Sequence, residues 1–219
     1  MVYIKEIFTS VQGEGPYIGY KQLFIRFCGC NLNCKYCDTD FDITNSKKYT
    51  KEELLEICNQ NLDCHSVSLT GGEPLLHVDF LQGFLKECPL PVYLETNGIL
   101  YENLQKIIND IDFISADIKL PSCSGIKPHW AEHYEFFKIS NEKNLYAKAV
   151  FDSNIRDDEI QKMCTLCKEF DIELVIQPMM KNNKLSVTSD FIMETLNKCA
   201  NIYSKVRLIP QVHKFIGLI

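Results

Sequence analysis

The strongest constraint on the fold is an alternation of strand-like and helix-like segments that runs the length of this 219-residue chain. Short runs rich in β-branched and aromatic residues read as strands at 22–28, 66–70, 92–95, 113–118, 145–151, 173–177 and, briefly, 206–209. Helical patterns lie between them at about 50–61, 79–87, 102–109, 158–170 and 189–199, the first opened by a capping box, Thr50-x-x-Glu53. Repeated βα units of this length require a parallel sheet with right-handed crossovers. About six units are too few to close an eight-stranded barrel, so the pattern predicts an α/β fold of the partial, open TIM type. No Pro/Gly/Ser-rich linker or charge block divides the chain, which predicts one domain over 1–219. Residues 119–135, with Pro121, Gly125 and Pro128, carry no regular pattern and read as irregular.

Parallel βα folds place their chemistry at the C-terminal ends of the strands. The unusual residues of this chain cluster there: a cysteine loop after the strand at 22–28, Gly71-Gly72-Glu73-Pro74 after the next, then Glu95-Thr96-Asn97-Gly98, Asp117-Ile118-Lys119 and Gln177-Pro178-Met179-Met180. Decoration of five strand ends predicts one shared site. A net charge of −6 argues against a nucleic-acid surface, which needs clustered Lys and Arg. The apolar runs fall far short of the ~20 residues needed to span a bilayer. Residues 1–8 carry Lys5 and Glu6 in a strand-like stretch rather than a signal peptide, so a reducing cytoplasm is expected. Eleven cysteines, an odd number in a chain long enough to do without staples, do not read as a disulfide framework. Cys58, Cys88 and Cys199 fall in or beside helices as buried thiols, and Cys164-x-x-Cys167 lies on one face of a helix, where core packing outweighs redox or metal chemistry.

Cys30, Cys34 and Cys37 (C-x3-C-x2-C) are different, being embedded in Gly, Asn and Asp rather than in an apolar run. They supply three thiolates, one fewer than a closed zinc site or a fully ligated four-iron cluster. A zinc knuckle that borrows Cys28 as fourth ligand is the alternative, although Cys28 ends a strand while the other three share a loop. Two glycines after a strand at Gly71-Gly72 let backbone approach a ligand closely, and Glu73 offers an acceptor for an ammonium; a plain strand-to-helix turn needs no more. Arg26 interrupts the apolar strand 23–27: pointing inward it is a clamp for a carboxylate, pointing outward a surface residue.

The cysteine loop with Tyr36 before its last cysteine, followed by G-G-E-P, resembles the radical S-adenosylmethionine superfamily. Adding Val11-Gln12-Gly13-Glu14-Gly15, L-F-I-R-F at 23–27, Asp38-Thr39, E-T-N-G and Gln211-x-His213-Lys214, the chain resembles the 7-carboxy-7-deazaguanine synthase family over nearly its whole length. The resemblance implies a [4Fe-4S] cluster on Cys30, Cys34 and Cys37 whose open iron is chelated by S-adenosylmethionine. It implies cofactor contacts from Tyr36 at the adenine, Cys37, Asp38, Gly72 and Glu73 at the methionine amino group, and Asp117, Ile118, Lys119, Gln177, Pro178, Met179 and Met180 at the ribose and carboxylate. Asp117-Ile118-Lys119 departs from the Ser-Pro-Lys common in relatives. The substrate implied is 6-carboxy-5,6,7,8-tetrahydropterin, held by Val11, Gln12, Gly13, Glu14, Arg26, Thr70, His213 and the terminal carboxylate of Ile219, with Mg²⁺ at its carboxylate on Thr39. Thr39 otherwise reads as a local cap. Apolar Phe215, Ile216, Leu218 and Ile219 are expected to dock the tail inside. The family also implies a homodimer and a flavodoxin- or ferredoxin-type electron donor. A glycyl-radical-enzyme activase of the same superfamily and a non-enzymatic zinc or electron-transfer protein are the competing readings.

Overall fold

The computed structural model describes residues 1–37, 39–181 and 183–218. Its elements are β1 (Val2–Val11), β2 (Lys21–Phe27), β3 (Lys47–Tyr49), α1 (Lys51–Asn59), β4 (Ser66–Gly71), α2 (Val78–Leu85), β5 (Val92–Thr96), α3 (Tyr101–Gln105), β6 (Phe113–Asp117), α4 (Pro121–Ser124), α5 (Trp130–Ser140), β7 (Asn144–Phe151), α6 (Asp157–Glu169), β8 (Glu173–Pro178), β9 (Met180–Lys181), β10 (Lys184–Leu185), α7 (Ser189–Ile202), β11 (Val206–Leu208) and α8 (Val212–Phe215). The alternation is as expected, with boundaries within a few residues. At α1 both capping-box bonds form: Glu53 N–H to Thr50 Oγ1 at 3.2 Å, and Thr50 N–H to Glu53 Oε2 at 2.8 Å. Thr188 caps α7 through the Phe191 N–H.

The main sheet runs β11-β8-β7-β6-β5-β4-β2-β1-β3 and does not close. β2, β4, β5, β6, β7, β8 and β11 are parallel, as the βα repeats require. β1 and β3 add antiparallel strands at one edge. The sheet curls: Tyr93 on β5 and Tyr146 on β7, with β6 between them, meet hydroxyl to hydroxyl at 2.6 Å. This is a partial TIM-type barrel.

Alternation along each strand separates two environments. Ile25, Phe27, Val67, Leu69, Leu94, Ala116, Ala149, Phe151 and Ile176 face the helices and form the main core with Leu54, Phe84, Phe137 and Met163. The opposite face looks into the barrel and is polar above an aromatic floor of Tyr93, Phe113 and Tyr146, plugged by Tyr17. Cys58, Cys164, Cys167 and Cys199 are buried in the helix-facing core and Cys88 is half-buried, in line with packing roles.

Three expectations need correction. Residues 119–135 are not irregular throughout, because α4 and the start of α5 lie there. His133, Phe136, Phe137 and Ser140 form the buried stripe of α5. The strand-like stretch read at 1–8 is longer than expected: β1 extends to Val11, and its antiparallel hairpin carries Q-G-E-G to the opposite end of the barrel from the strand C-termini. The apolar tail is not buried: Phe215 and Ile216 are 55% and 57% exposed and off the cavity wall, and Leu218 alone borders the cavity while 44% exposed. A four-residue helix, α8 (Val212–Phe215), starts this tail. Ile219 and Asp38 lie outside the described residues.

Candidate active site

A cavity of about 680 Å³ fills the barrel mouth, within the range of small-molecule sites. Its rim carries Cys30, Cys34 and Cys37, all on the loop that leaves β2 through Gly29, whose φ of 83° suits glycine. That loop is clamped from two sides. Glu73 N–H donates to Gly29 O at 2.8 Å, and a side chain at Gly72 would meet the same oxygen at 1.8 Å. On the other side Lys35 N–H donates to Ser124 O at 2.9 Å, and the Lys35 stem lies where a side chain at Gly125 would stand.

Burial raises the Cys30 and Cys34 thiols, against the pull of Lys119. No three His, Cys, Asp or Glu among the described residues converge on a single ion. Three thiols spread round one mouth suit a group several ångströms across better than one metal ion. Cys28 is buried and absent from the cavity wall, with its carbonyl taken by His77 Nε2 at 2.8 Å, so it is no fourth ligand.

The cofactor residues divide by strand alternation. Asp117, Lys119, Gln177, Met179 and Met180 line the cavity. Ile118 and Pro178 point the other way: Ile118 packs in the main core with its N–H on Lys148 O at 2.7 Å, and Pro178 is buried off the wall. Their expected contacts with a cofactor are therefore not made by side chains. Asp117 Oδ1, Gln177 Oε1 and the Tyr36 hydroxyl are buried with no partner, although buried polar atoms are nearly always paired. Two unpaired acceptors and a phenol beside one cavity fit a ligand that brings hydroxyl and amine donors, as S-adenosylmethionine does. Lys119 sits 2.9 Å from Asp117 and 5.5 Å over the Tyr36 ring.

Glu73 also differs from expectation. Its carboxylate accepts from Leu75 N–H (3.1 Å), Thr96 Oγ1 (2.8 Å) and Asn97 N–H (2.8 Å), is fully buried and does not line the cavity. Burial outweighs these donors and pushes its pKa up to about 7. It ties the G-G-E-P turn to E-T-N-G, so the Gly71-Gly72 backbone, rather than the Glu73 side chain, borders the cavity.

Val11, Gln12, Gly13, Glu14, Arg26, Thr70 and His213 all line the same cavity, with Thr39 at its edge. Q-G-E-G reaches it from below. Glu14 pairs with Lys148 on β7 and accepts from Gln211 Nε2 at 2.7 Å. Burial raises the Glu14 carboxyl, but the Lys148 ammonium and these hydrogen bonds overcome it and hold the pKa at about 2. Lys148 also lies 3.4 Å from Asp117, which joins the two halves of the wall. Arg26 faces inward beside Thr70 in register, bonded to Glu6 Oε2 at 2.9 Å and lying over the Phe8 ring. His213 packs on Gly13, where a side chain would meet its ring at 2.1 Å, and Val212 N–H donates to Gly13 O at 2.9 Å. The tail thus bridges the open edge of the barrel.

Sequence reasoning placed Glu95 among the strand-end motifs without giving it a role, and missed Lys148. Glu95 collects Gln12 Nε2 (2.9 Å), Ser68 Oγ (3.2 Å) and Thr70 Oγ1 (2.9 Å) and lines the cavity. The available signal was the alternation Ser66-Val-Ser68-Leu-Thr70: parallel strands covered on both faces are usually apolar throughout, so polar alternates mark a hydrated interior.

The model of the radical SAM superfamily matches residues 24–146. A 7-carboxy-7-deazaguanine synthase of Geobacter sulfurreducens is 36% identical, the match covering 98% of this chain and 96% of the relative. A 7-carboxy-7-deazaguanine synthase of Methanothermobacter thermautotrophicus is 34% identical over 98% of this chain and 97% of its own. Among solved structures, QueE from Escherichia coli shares the fold with a TM-score of 0.68 at 20% identity, covering 97% of this chain and 94% of that one.

Proposed function

This chain belongs to the 7-carboxy-7-deazaguanine synthase family of the radical SAM superfamily, and from that premise we propose that it converts 6-carboxy-5,6,7,8-tetrahydropterin to 7-carboxy-7-deazaguanine with loss of ammonia. Members of the family are lyases of deazapurine biosynthesis that use S-adenosylmethionine and a [4Fe-4S] cluster. The observation that carries the specific reading is the juxtaposition, in one cavity, of three rim thiols with a carboxylate-rich floor of Glu14 and Glu95 and an inward arginine, Arg26.

Cys30, Cys34 and Cys37 would hold the cluster, and Tyr36, Asp117, Lys119 and Gln177 the cofactor. When bound, these groups would supply radical chemistry directed at the substrate's C6. The protein's own work is placement. Glu14 and Glu95 accept from the N–H edge of the pyrimidine ring, and Gln12 fixes their spacing. Arg26, released from Glu6, takes the substrate carboxylate in a charge-assisted pair. Thr39, on the cavity wall, would offer Mg²⁺ a hard oxygen donor, suited to an ion that keeps most of its waters. His213 on Gly13 closes the floor and excludes water. This packing favours a small-molecule substrate over the protein substrate of an activase, which needs an open mouth. The chain acts as one domain, pairs as a homodimer and receives its electron from a flavodoxin- or ferredoxin-type protein in a reducing cytoplasm.

The test is a product assay. Anaerobically reconstituted enzyme, expected to bind about four irons per chain, is reduced and given S-adenosylmethionine, Mg²⁺ and the carboxytetrahydropterin. Mass spectrometry should show 7-carboxy-7-deazaguanine. Enzyme that cleaves S-adenosylmethionine yet yields no deazaguanine would overturn the substrate assignment.

A further inference from the structure

Behind the cavity wall runs a hydrogen-bonded chain that the roles above do not use. Gln22, fully buried at the start of β2, accepts from Gln12 Nε2 at 3.0 Å and donates to Ser66 Oγ at 2.9 Å. Ser66, equally buried, lies 3.0 Å from His65 Nδ1. His65 is half-buried below the barrel floor, its ring 4.1 Å from that of the exposed Tyr20. The chain therefore links the outer side of the floor to Gln12 and, through Gln12, to Glu95 in the cavity.

Its direction follows from donor and acceptor chemistry. Glu14 N–H donates to one end of the Gln12 amide at 2.9 Å, so that end is Oε1. The other end must be Nε2, whose two protons go to Glu95 Oε1 and to Gln22 Oε1. With its oxygen toward Gln12, Gln22 presents its NH₂ to Ser66. Ser66 Oγ accepts there and has its own proton left for His65 Nδ1, which requires the imidazole tautomer protonated on Nε2. A reversed Gln12 amide would set NH₂ against the Glu14 N–H and an oxygen against the Glu95 carboxylate, leaving buried groups unpaired.

We propose that Gln22, Ser66 and His65 are positioning residues that lock the Gln12 amide, and with it the Glu95 carboxylate, in the single orientation that reads the substrate's hydrogen-bonding edge. The proposal rests on the reading of Gln12 and Glu95 as substrate contacts. It assigns selectivity to residues that never touch the ligand.

Two measurements test it. In the ¹⁵N-labelled protein above neutral pH, long-range ¹H–¹⁵N spectra should show His65 as the Nε2–H tautomer, shifting to a mixture in Ser66→Ala. A wild-type His65 protonated on Nδ1 would overturn the polarity of the chain. In turnover, Gln22→Met should raise KM for the pterin roughly tenfold while kcat changes less than about threefold. Iron content and substrate-free cleavage of S-adenosylmethionine should stay as in wild type. An unchanged KM would overturn the positioning role, as would a loss of kcat and KM together with falling iron content, which is the signature of a merely structural residue. If Gln22→Met does not fold, Ser66→Ala takes its place, with a KM rise of about threefold expected and an unchanged KM counting against the role. Should the wild-type chain not turn over the pterin, the functional reading fails, and the His65 tautomer still decides the chain.

Discussion

Lys148 stands between two carboxylates of the barrel wall, Glu14 and Asp117; its ammonium keeps Glu14 charged, and at Asp117 it acts second to Lys119. Burial lowers its own pKa, but the two carboxylates more than reverse that. Because Glu14 titrates at about 2 rather than 4.5, the stability it contributes is complete above the ordinary value and is lost as pH falls toward 2. That shift corresponds to about 3 kcal/mol, so acid unfolding followed by circular dichroism should show this loss below pH ~5. Lys148→Met should cost roughly 3–5 kcal/mol at neutral pH, since it strands buried charge, and should also flatten the acid limb. A variant as stable as wild type by urea titration would mean that solvent reaches Glu14. Glu14 was legible in the sequence through its motif, whereas Lys148 was not. A lysine in the strand Leu145–Phe151 reads as facing solvent, and only the curl of the sheet turns it toward Glu14.

At the scale of elements, two glycines hold the site together by what they leave out. Gly72 lets the turn after β4 lie against Gly29 of the cysteine loop. Gly72→Ala should push that loop away and lower iron content well below the about four atoms per chain of a filled cluster, read by iron assay and absorbance. Gly13 does the same for α8, whose His213 ring occupies the space of a side chain. Gly13→Ala should free the tail, exposing it to limited proteolysis and raising KM roughly tenfold while iron stays bound. His213→Ala should lose the same contact, so the double variant should be no worse than either single one, a non-additivity that a thermodynamic cycle measures. The helices were legible because caps and 3.6-residue stripes are local. The packing of G-G-E-P on the cysteine loop was not, because it joins residues some forty positions apart in the chain.

For the whole molecule, the open sheet ends on β11 at one edge and on β3, beyond the β1–β2 hairpin, at the other, and the tail after β11 reaches back to the hairpin through the Val212 N–H on Gly13 O. The resulting barrel has thiols on its rim and carboxylates near its floor, and Cys28 belongs to neither. Cys28→Ala should therefore keep the full iron content, while Cys34→Ala should abolish cluster binding; equal loss in both would restore the four-cysteine zinc reading. Among the described residues no helix is long and apolar enough to cross a membrane, as the short apolar runs implied. The sequence by itself determined the parallel βα order, the three-thiol loop and the family, because strand period, capping and cysteine spacing are properties of neighbouring residues. Tertiary structure alone decided that Q-G-E-G rises from the barrel floor, that Glu73 serves the scaffold, and that Glu95, Lys148 and Gln22 face inward. Each of these depends on which way a strand curves and what lies across the barrel, and that is set by contacts between segments far apart in the chain.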